Sequence, residues 1–206
     1  MTQEFISNKK QVFDKWAPSY DWLLPSVFYQ TVHKRLLEYV DFPEQPNVLD
    51  LGCGTGRLLE RLAAKFPDLR GTGLDLSPKM LRIARQNNCH RPRLIYIEGK
   101  AESLTFAEGQ FNAVFNTISF LHYLEPQQVL SEVARVLSPG GRFYLVDTTV
   151  KNEPEVQFTL GFLGKTRFYS PKQREQLGSS AGLLSVGHYY LLGPVLLTIF
   201  AKPSLN

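Results

Sequence analysis

The sequence predicts a single α/β domain, a three-layer sandwich in which helices cover both faces of a mostly parallel, seven-stranded sheet. From residue 48 onward, short apolar runs alternate with helical patterns, which is typical of parallel strands joined by crossover helices. The chain ends in two apolar runs, residues 183–192 and 195–201, joined at Gly193-Pro194. These two runs predict an antiparallel hairpin at the C-terminal end of the sheet.

The N-terminal segment, residues 1–45, is expected to form a helical lid on the core of residues 46–206. Val32, Leu36 and Val40 recur at helical spacing after a predicted break at Pro25. Aromatic side chains are concentrated here and need to be covered by core, partner or ligand. They either pack on the domain or wall an apolar substrate pocket, and both interpretations stay open. The aromatic residues are Phe13, Trp16, Tyr20, Trp22, Phe28 and Tyr29.

The first strand, from Val48, runs into three alternate glycines and then directly into a helical pattern at Arg57. Glycines at these positions allow positive φ and let the backbone approach a ligand, while the new helix aims its unpaired N–H groups at that ligand. Asp50 lies inside the apolar strand, where a carboxylate is costly unless a partner such as a bound cation offsets it. The stretch therefore predicts a nucleotide cradle made of Asp50, Gly52, Cys53, Gly54, Thr55 and Gly56.

A second acidic residue, Asp75, follows Gly56 by 19 positions and closes the strand-like run of residues 70–75. This placement suits a carboxylate that accepts hydrogen bonds from ribose hydroxyls at the neighbouring strand tip. Leu76 and Ser77 follow, with Ser77 expected to cap the next helix and Pro78 to occupy its first position. Ser170 and Pro171 are expected to start a later helix in the same way, ending near residues 181–182. Met80 then either belongs to the core or packs against an adenine face.

At these residues the sequence resembles the class I S-adenosylmethionine-dependent methyltransferases, in particular their ubiquinone- and menaquinone-biosynthesis branch, over roughly residues 13–203. The resemblance implies a Rossmann-like fold and S-adenosyl-L-methionine as the cofactor. Residues 16–21, Trp-Ala-Pro-Ser-Tyr-Asp, are similar to the family's Ala-x-x-Tyr-Asp motif. By that resemblance Tyr20 closes over the cofactor.

Residues 99–106 resemble the family's loop over the adenine edge, with one departure. Lys100 stands where the family often has Asp or Asn, and a protonated lysine cannot accept a hydrogen bond from the adenine amino group. We therefore expect the adenine contact to rest on the backbone around Ala101 and on Glu102. The fourth strand leads to Asn116 and Thr117, which are expected to border the sulfonium end of the cofactor at the topological switch point.

The segment after this strand, residues 118–124, is similar to the family's Leu-His-Tyr segment. Here His122 is the candidate general base for an oxygen acceptor, because imidazole titrates near neutrality. Two alternatives stay open: a structural histidine, or an acceptor acidic enough to need no base. Residues 156–163 are apolar but irregular. In the family that this sequence resembles, insertions at this place commonly line the substrate side. The acceptor pocket is expected to include Trp16, Tyr123, Phe158 and Phe162.

Composition narrows the class of protein. No apolar run approaches the roughly 18 residues that span a bilayer, and the first residues lack signal-peptide features, so a cytoplasmic location is expected.

Two cysteines give neither a metal cage nor a disulfide framework, and no metal is expected. The net charge of +4 is spread out, and a solvated helix face explains Arg57, Arg61 and Lys65 better than a nucleic-acid surface does. Peripheral membrane contact, and a monomer or a homodimer, stay open.

The sequence therefore predicts a methyltransferase that uses S-adenosyl-L-methionine on a small apolar or aromatic acceptor, such as a quinone-like, phenolic or lipid-like molecule. The absence of an Asn-Pro-Pro-Tyr motif argues against methylation of adenine or glutamine amide nitrogens. A cofactor-binding partner subunit without its own catalysis is the alternative. An NAD-dependent oxidoreductase is disfavoured, because the third glycine comes one residue earlier than in the Gly-x-Gly-x-x-Gly fingerprint.

Overall fold

A computed structural model describes the backbone of residues 23–150, 156–160 and 164–204, and the side chains of residues 27–150 and 166–204. Within these ranges the helices and strands follow one another in an alternating order. They are α1 (Leu23–Leu36), β1 (Asn47–Leu51), α2 (Arg57–Lys65), β2 (Arg70–Asp75), α3 (Pro78–Asn87), β3 (Leu94–Glu98), β4 (Phe111–Thr117), a short 3-10 helix (Phe120–His122), α4 (Pro126–Val136), β5 (Leu137–Thr148), β6 (Val156–Leu160), β7 (Gly164–Phe168), α5 (Pro171–Ser180), β8 (Leu184–Leu192) and β9 (Val195–Ala201).

Seven of these strands form one sheet in the order β3-β2-β1-β4-β5-β9-β8. Strands β1 to β5 are parallel to one another, whereas β9 pairs antiparallel with both β5 and β8. The predicted mostly parallel sheet with a C-terminal antiparallel hairpin is therefore confirmed. Strand order reverses between β1 and β4, which makes their carboxyl ends the topological switch point.

Two buried clusters make this fold a three-layer sandwich. Neighbouring residues of one strand point to opposite clusters: Phe115 and Tyr144 face α1, α2 and α3, whereas Val114 and Phe143 face α4 and α5. The rings of Phe115 and Tyr144 stack with centroids 4.8 Å apart. Because both faces of the sheet are covered, its strands read as near-continuous apolar runs rather than as alternating ones.

The helix starts predicted from serine-proline pairs are confirmed. The Ser77 hydroxyl accepts a hydrogen bond from the Met80 N–H at 3.2 Å and caps α3. Ser170 caps α5 in a capping box with Gln173. These local signals place helix starts correctly because a side-chain acceptor and a proline both suit the first turn, where backbone N–H groups lack partners.

Three predictions about local structure are wrong. Pro25 lies within α1 rather than breaking it, since a proline in a first turn costs no helical hydrogen bond. The sequence signal of residues 138–141 places the start of the fifth strand at Arg142, but β5 begins at Leu137; residues 138–141 interrupt its pairing with β4, and Gly140 has a φ of +75°. The stretch from residue 156, expected to be irregular, contains β6, which pairs with β7 as a separate two-stranded sheet.

Residues 1–22 of the predicted lid lie outside the described residues, so the division of the chain into lid and core stays a prediction. Of that segment the structure describes α1, in which Val32 and Leu36 are fully buried, and the residues that follow it, among which Val40 is largely buried. No helix in the described part of the chain is both long and apolar enough to cross a bilayer.

Candidate functional site

A cleft that is open to solvent lies at the switch point, and it encloses about 940 Å³ when the solvent space at its mouth is included. Its walls come from the loops that follow β1, β2, β3 and β4, as expected for a ligand site in an open α/β sheet. Of the residues predicted from the sequence, those lining the cleft are Gly52, Gly54, Asp75, Leu76, Met80, Ala101, Glu102, Thr117, His122 and Tyr123.

Six other predicted residues are not part of the lining itself, namely Asp50, Cys53, Thr55, Gly56, Ser77 and Asn116. Trp16, Tyr20 and Phe162 lie outside the described residues, as does the side chain of Phe158. Six residues of the lining were not among the predicted site residues: Leu74, Gly99, Lys100, Ile118, Ser119 and Leu124. Their proximity to the predicted motifs is the signal that could have found them, since each lies within four positions of a named site residue.

The three glycines of the cradle have different neighbours. A Cβ added to Gly52 would stand 2.5 Å from the Ser119 Oγ, and one added to Gly56 would stand 2.6 Å from the Tyr96 hydroxyl oxygen. A Cβ on Gly54, where φ is +52°, would meet no atom within 4 Å and would enter open space. Protein packing therefore excludes a side chain at Gly52 and Gly56. At Gly54 no protein atom does so, and a side chain there would enter the cleft and be strained only by the positive φ.

Asp75 holds the cradle in place. One carboxylate oxygen accepts a hydrogen bond from the Gly54 N–H at 2.8 Å, and the other accepts one from the Ser77 N–H at 2.8 Å. The carboxylate thus joins the glycine loop after β1 to the start of α3. Each carboxylate oxygen can accept a further hydrogen bond, so the proposed role toward ribose hydroxyls is compatible with these two contacts.

We expect Asp75→Ala to weaken S-adenosylhomocysteine binding roughly ten- to hundredfold, equivalent to about 1.5–3 kcal/mol, because charge-assisted hydrogen bonds are lost. Calorimetric titration measures this. Stability should fall as well, since the Gly54 and Ser77 N–H groups lose their acceptor. The matched control is Asp68→Asn, an exposed carboxylate. If Asp75→Ala binds S-adenosylhomocysteine with wild-type affinity and only its stability is lower, Asp75 has a structural role and does not bind the ribose.

Asp50 is a buried carboxyl group in the strand that leads into the cradle. Its side chain is 2% exposed. Burial raises the pKa of Asp50 well above its usual range, and the negative charge of Asp75 adds to that effect. A cationic ligand in the cleft would lower this pKa and favour the charged form, which fits the cation expected from the sequence.

The loop of residues 99–106 is fixed from behind by α4. Arg135 donates hydrogen bonds to the carbonyl oxygens of Phe106 and Leu104, both at 2.8 Å. The Leu104 N–H donates to Glu132 at 2.6 Å, and Glu132 in turn pairs with Arg135 at 2.8 Å. The hydrogen bond from Arg135 is the main cause that lowers the pKa of Glu132. Lys100 is exposed at the cleft, so the backbone of this loop remains the proposed adenine contact.

Asp147, at the carboxyl end of β5, positions the segment that carries His122. Its carboxylate accepts hydrogen bonds from the Leu121 N–H at 3.0 Å and the Thr148 N–H at 2.8 Å. Burial raises the pKa of Asp147 to about 6, against the opposing effects of Arg174 and of the backbone N–H groups. The buried Arg174 guanidinium donates to the Asp147 carbonyl at 3.0 Å, so one buried network joins β5 and α5 to the 3-10 helix.

This pKa predicts a pH dependence of stability. Between the usual pKa of 3.8 and about 6, the folded protein keeps a proton on Asp147 that the unfolded chain releases. The free energy of unfolding should therefore fall by about 3 kcal/mol as pH rises through this range. In Asp147→Asn this contribution should disappear. Urea unfolding of both proteins at pH 4, 5, 6 and 7 measures the difference, and identical slopes would contradict it.

The fold and the cleft together define the class of protein. A terminal antiparallel hairpin on a parallel sheet, with a glycine cradle at the switch point, is the class I methyltransferase arrangement rather than the dinucleotide-binding one. Residues 48–141 match the family model described as a methyltransferase domain. The chain belongs to the class I S-adenosylmethionine-dependent methyltransferases, in the branch of the quinone-biosynthesis enzymes. The cofactor expected from the sequence is thereby confirmed for the family.

Two curated relatives support this assignment. The demethylmenaquinone methyltransferase of Chlorobaculum parvum is 32% identical over 155 residues, which are 72% of this chain and 63% of that protein. The demethylmenaquinone methyltransferase of Listeria welshimeri is 32% identical over 163 residues, 75% of this chain and 68% of that protein. The chain spans less than two thirds of the length of the first relatives that it matches, between 61% and 65%.

A solved structure shares the fold. The Burkholderia thailandensis 1,6-didemethyltoxoflavin-N1-methyltransferase, determined with 1,6-didemethyltoxoflavin and S-adenosylhomocysteine bound, superposes with a TM-score of 0.80. The match covers 99% of this chain and 91% of that one at 17% sequence identity. At this level of identity the likeness concerns the fold.

Proposed function

We propose that this protein transfers a methyl group from S-adenosyl-L-methionine to a small aromatic acceptor of the quinone or quinol type. The observation that carries the proposal is Gly54, the cradle glycine whose missing side chain leaves space in the cleft rather than space filled by protein. The names of the curated relatives support the acceptor class. The bound cofactor supplies an activated sulfonium leaving group, so the protein needs no nucleophile of its own.

The residues of the cleft fit this cofactor. Asp75 and Glu102 offer acceptors for hydroxyl and amino groups, Leu76 and Met80 offer apolar surface, and all four line the cleft. Met80 is 2% exposed and lines the cleft too, so the core and ligand interpretations of this residue are compatible.

The chain's own contribution to the reaction is positioning and proton removal. Holding two reactants in line and excluding water can supply roughly 7–11 kcal/mol of the barrier. We propose that His122, which lines the cleft, accepts the proton that the methyl acceptor loses. Ser119, Tyr123 and Leu124 lie on the same wall, which makes this wall the proposed acceptor side.

Two measurements test the function. Calorimetric titration should show S-adenosylhomocysteine binding, and methyl-labelled S-adenosyl-L-methionine should label a reduced demethylmenaquinone. Binding without transfer to any acceptor in a cell extract would favour the alternative, a partner subunit without catalysis. Binding of NADH in place of S-adenosylhomocysteine would contradict both.

The proposal includes a small-molecule substrate rather than nucleic acid, and a cytoplasmic protein that is a monomer or a homodimer. Two basic residues of α2 support a small-molecule substrate, because their side chains bind backbone carbonyl groups of the protein itself. Lys65 donates to the Leu37 carbonyl at 2.7 Å, and Arg61 donates to the Arg57 carbonyl at 3.0 Å. Light scattering measures the oligomeric state.

A further inference from the structure

Two polar side chains of the acceptor wall, Ser119 and Tyr123, meet the buried Asn116 side chain at the end of β1. The Asn116 side-chain nitrogen lies 2.9 Å from the Leu51 carbonyl oxygen, 2.7 Å from the Ser119 Oγ and 2.9 Å from the Tyr123 hydroxyl oxygen. The Ser119 Oγ also lies 3.2 Å from the Leu51 carbonyl oxygen. The Tyr123 oxygen is 3.4 Å from the place where a Cβ on Gly52 would stand, so this hydroxyl lies at the base of the cradle.

A count of donors and acceptors assigns the protons of this network. An amide nitrogen has two N–H donors, and a carbonyl oxygen can only accept. The two N–H groups of Asn116 face three oxygens, those of Leu51, Ser119 and Tyr123, and the Ser119 hydroxyl can itself donate to the Leu51 carbonyl. In that arrangement Asn116 donates to Ser119 and Tyr123, and in every arrangement its nitrogen cannot accept the Tyr123 proton. The Tyr123 oxygen is then an acceptor in this network, and its own proton remains to be placed.

The described part of the chain offers that proton one partner, the Ser119 Oγ at 3.5 Å. This separation exceeds the usual range of about 2.5–3.0 Å for an O–H···O hydrogen bond. Tyr123 lines the cleft. The proton of its hydroxyl group is therefore available to a ligand there.

From this geometry we infer that Tyr123 is a specificity residue for the methyl acceptor, whose neutral ring oxygen, a phenolic hydroxyl or a carbonyl, accepts a hydrogen bond from the Tyr123 hydroxyl group. This inference rests on the proposed function and makes the acceptor class more specific. The contact fixes the rotation of the aromatic ring in the cleft. The reacting atom of the ring is thereby held in one place beside the cradle.

The charges around the hydroxyl favour a neutral oxygen over a carboxylate. Burial raises the pKa of Tyr123, and the negative charges of Glu102 and Asp75 raise it further, against the opposing hydrogen bonds with Ser119 and Asn116. Tyr123 therefore keeps its proton and acts as a donor. The same two carboxylates would repel the carboxylate of the cofactor's amino-acid part from this position.

The experiment compares two probes of nearly the same shape, 1-naphthol and 1-methylnaphthalene, on protein saturated with S-adenosylhomocysteine. The wild-type protein should bind 1-naphthol at least roughly tenfold more tightly, since a site built around a hydrogen bond rejects the analogue that lacks it. In Tyr123→Phe this preference should vanish, while the affinities for 1-methylnaphthalene and S-adenosylhomocysteine stay within about twofold. Tyr144→Phe removes another buried hydroxyl, away from the cleft, and should keep the preference.

Three outcomes would overturn the inference. Tyr123→Phe could keep the preference for 1-naphthol, or the wild-type protein could show no preference while binding S-adenosylhomocysteine. Third, Tyr123→Phe could lose affinity for S-adenosylhomocysteine but not for 5′-methylthioadenosine, which would assign the hydroxyl to the cofactor's amino-acid part. A wild-type protein that fails to bind S-adenosylhomocysteine at all would instead contradict the proposed function, and this inference with it.

Discussion

Replacing Gly54 by valine is expected to abolish cofactor binding while the protein still folds. The backbone at Gly54 has φ +52°, and a side chain there would enter the cleft without meeting protein. Its branched carbons would therefore occupy volume that the cofactor needs. We expect the dissociation constant of S-adenosylhomocysteine to rise more than about a thousandfold, equivalent to about 4 kcal/mol. Calorimetric titration of the purified variant measures this change.

Valine also strains a backbone of positive φ, so the variant needs a control with the same strain. Gly182, between α5 and β8, provides it, because its φ is +78° and a Cβ there would also meet nothing within 4 Å. Gly182→Val should lose stability to a similar extent and bind S-adenosylhomocysteine normally. Normal binding by a folded Gly54→Val protein would remove the central observation behind the proposed function.

Replacing His122 by glutamine is expected to lower kcat by about 10²–10⁴-fold, the usual contribution of a positioned general base. Glutamine keeps hydrogen-bonding atoms at the cleft but cannot take up a proton near neutrality. The affinity for S-adenosylhomocysteine should stay within about twofold, because the proposed cofactor contacts come from other loops. The pH profile of kcat should also lose the rise that reports deprotonation of an imidazole.

His188→Gln is the matched control, since His188 contacts Thr198 and Glu175 on β9 and α5 rather than the cleft. This variant should keep both kcat and the pH profile. A His122→Gln protein with normal turnover would mean that the acceptor loses its proton without this base, as an acidic phenol or carbon acid could. In that case His122 would have a structural role only.

The order of strands and helices could be predicted because its signals are local. The apolar runs of β1 to β4, the serine-proline caps at Ser77 and Ser170 and the hairpin turn at Gly193 each involve residues close together in sequence. Local signals gave a wrong strand boundary where pairing between distant segments determines the structure. The proline and glycines at residues 139–141 resemble a turn and do interrupt the pairing of β5 with β4, but the strand already begins before them, at Leu137.

The cleft residues could be named from motifs, but what each does in the fold depends on distant partners. That Gly52 makes room for Ser119 and Gly56 for Tyr96 follows only from packing across the sheet. Likewise, the sequence suggests Asp75 as a ribose acceptor and does not reveal its hydrogen bond from the Gly54 N–H. Pairings of this kind are set by strand order, which brings remote loops together.

The concentration of the cleft in one stretch of the chain has a consequence for redesign. Every residue that the described structure places around the cleft falls between Gly52 and Leu124. The two-stranded β6–β7 sheet and the C-terminal hairpin lie beyond that stretch, and α1 lies before it. Strand β9 and α1 place buried side chains in the core, so their inward-facing residues have to be kept. The exposed side chains of the edge strand β8, Leu184, Val186 and Tyr190, can be diversified instead, which leaves the residues of the cleft unchanged.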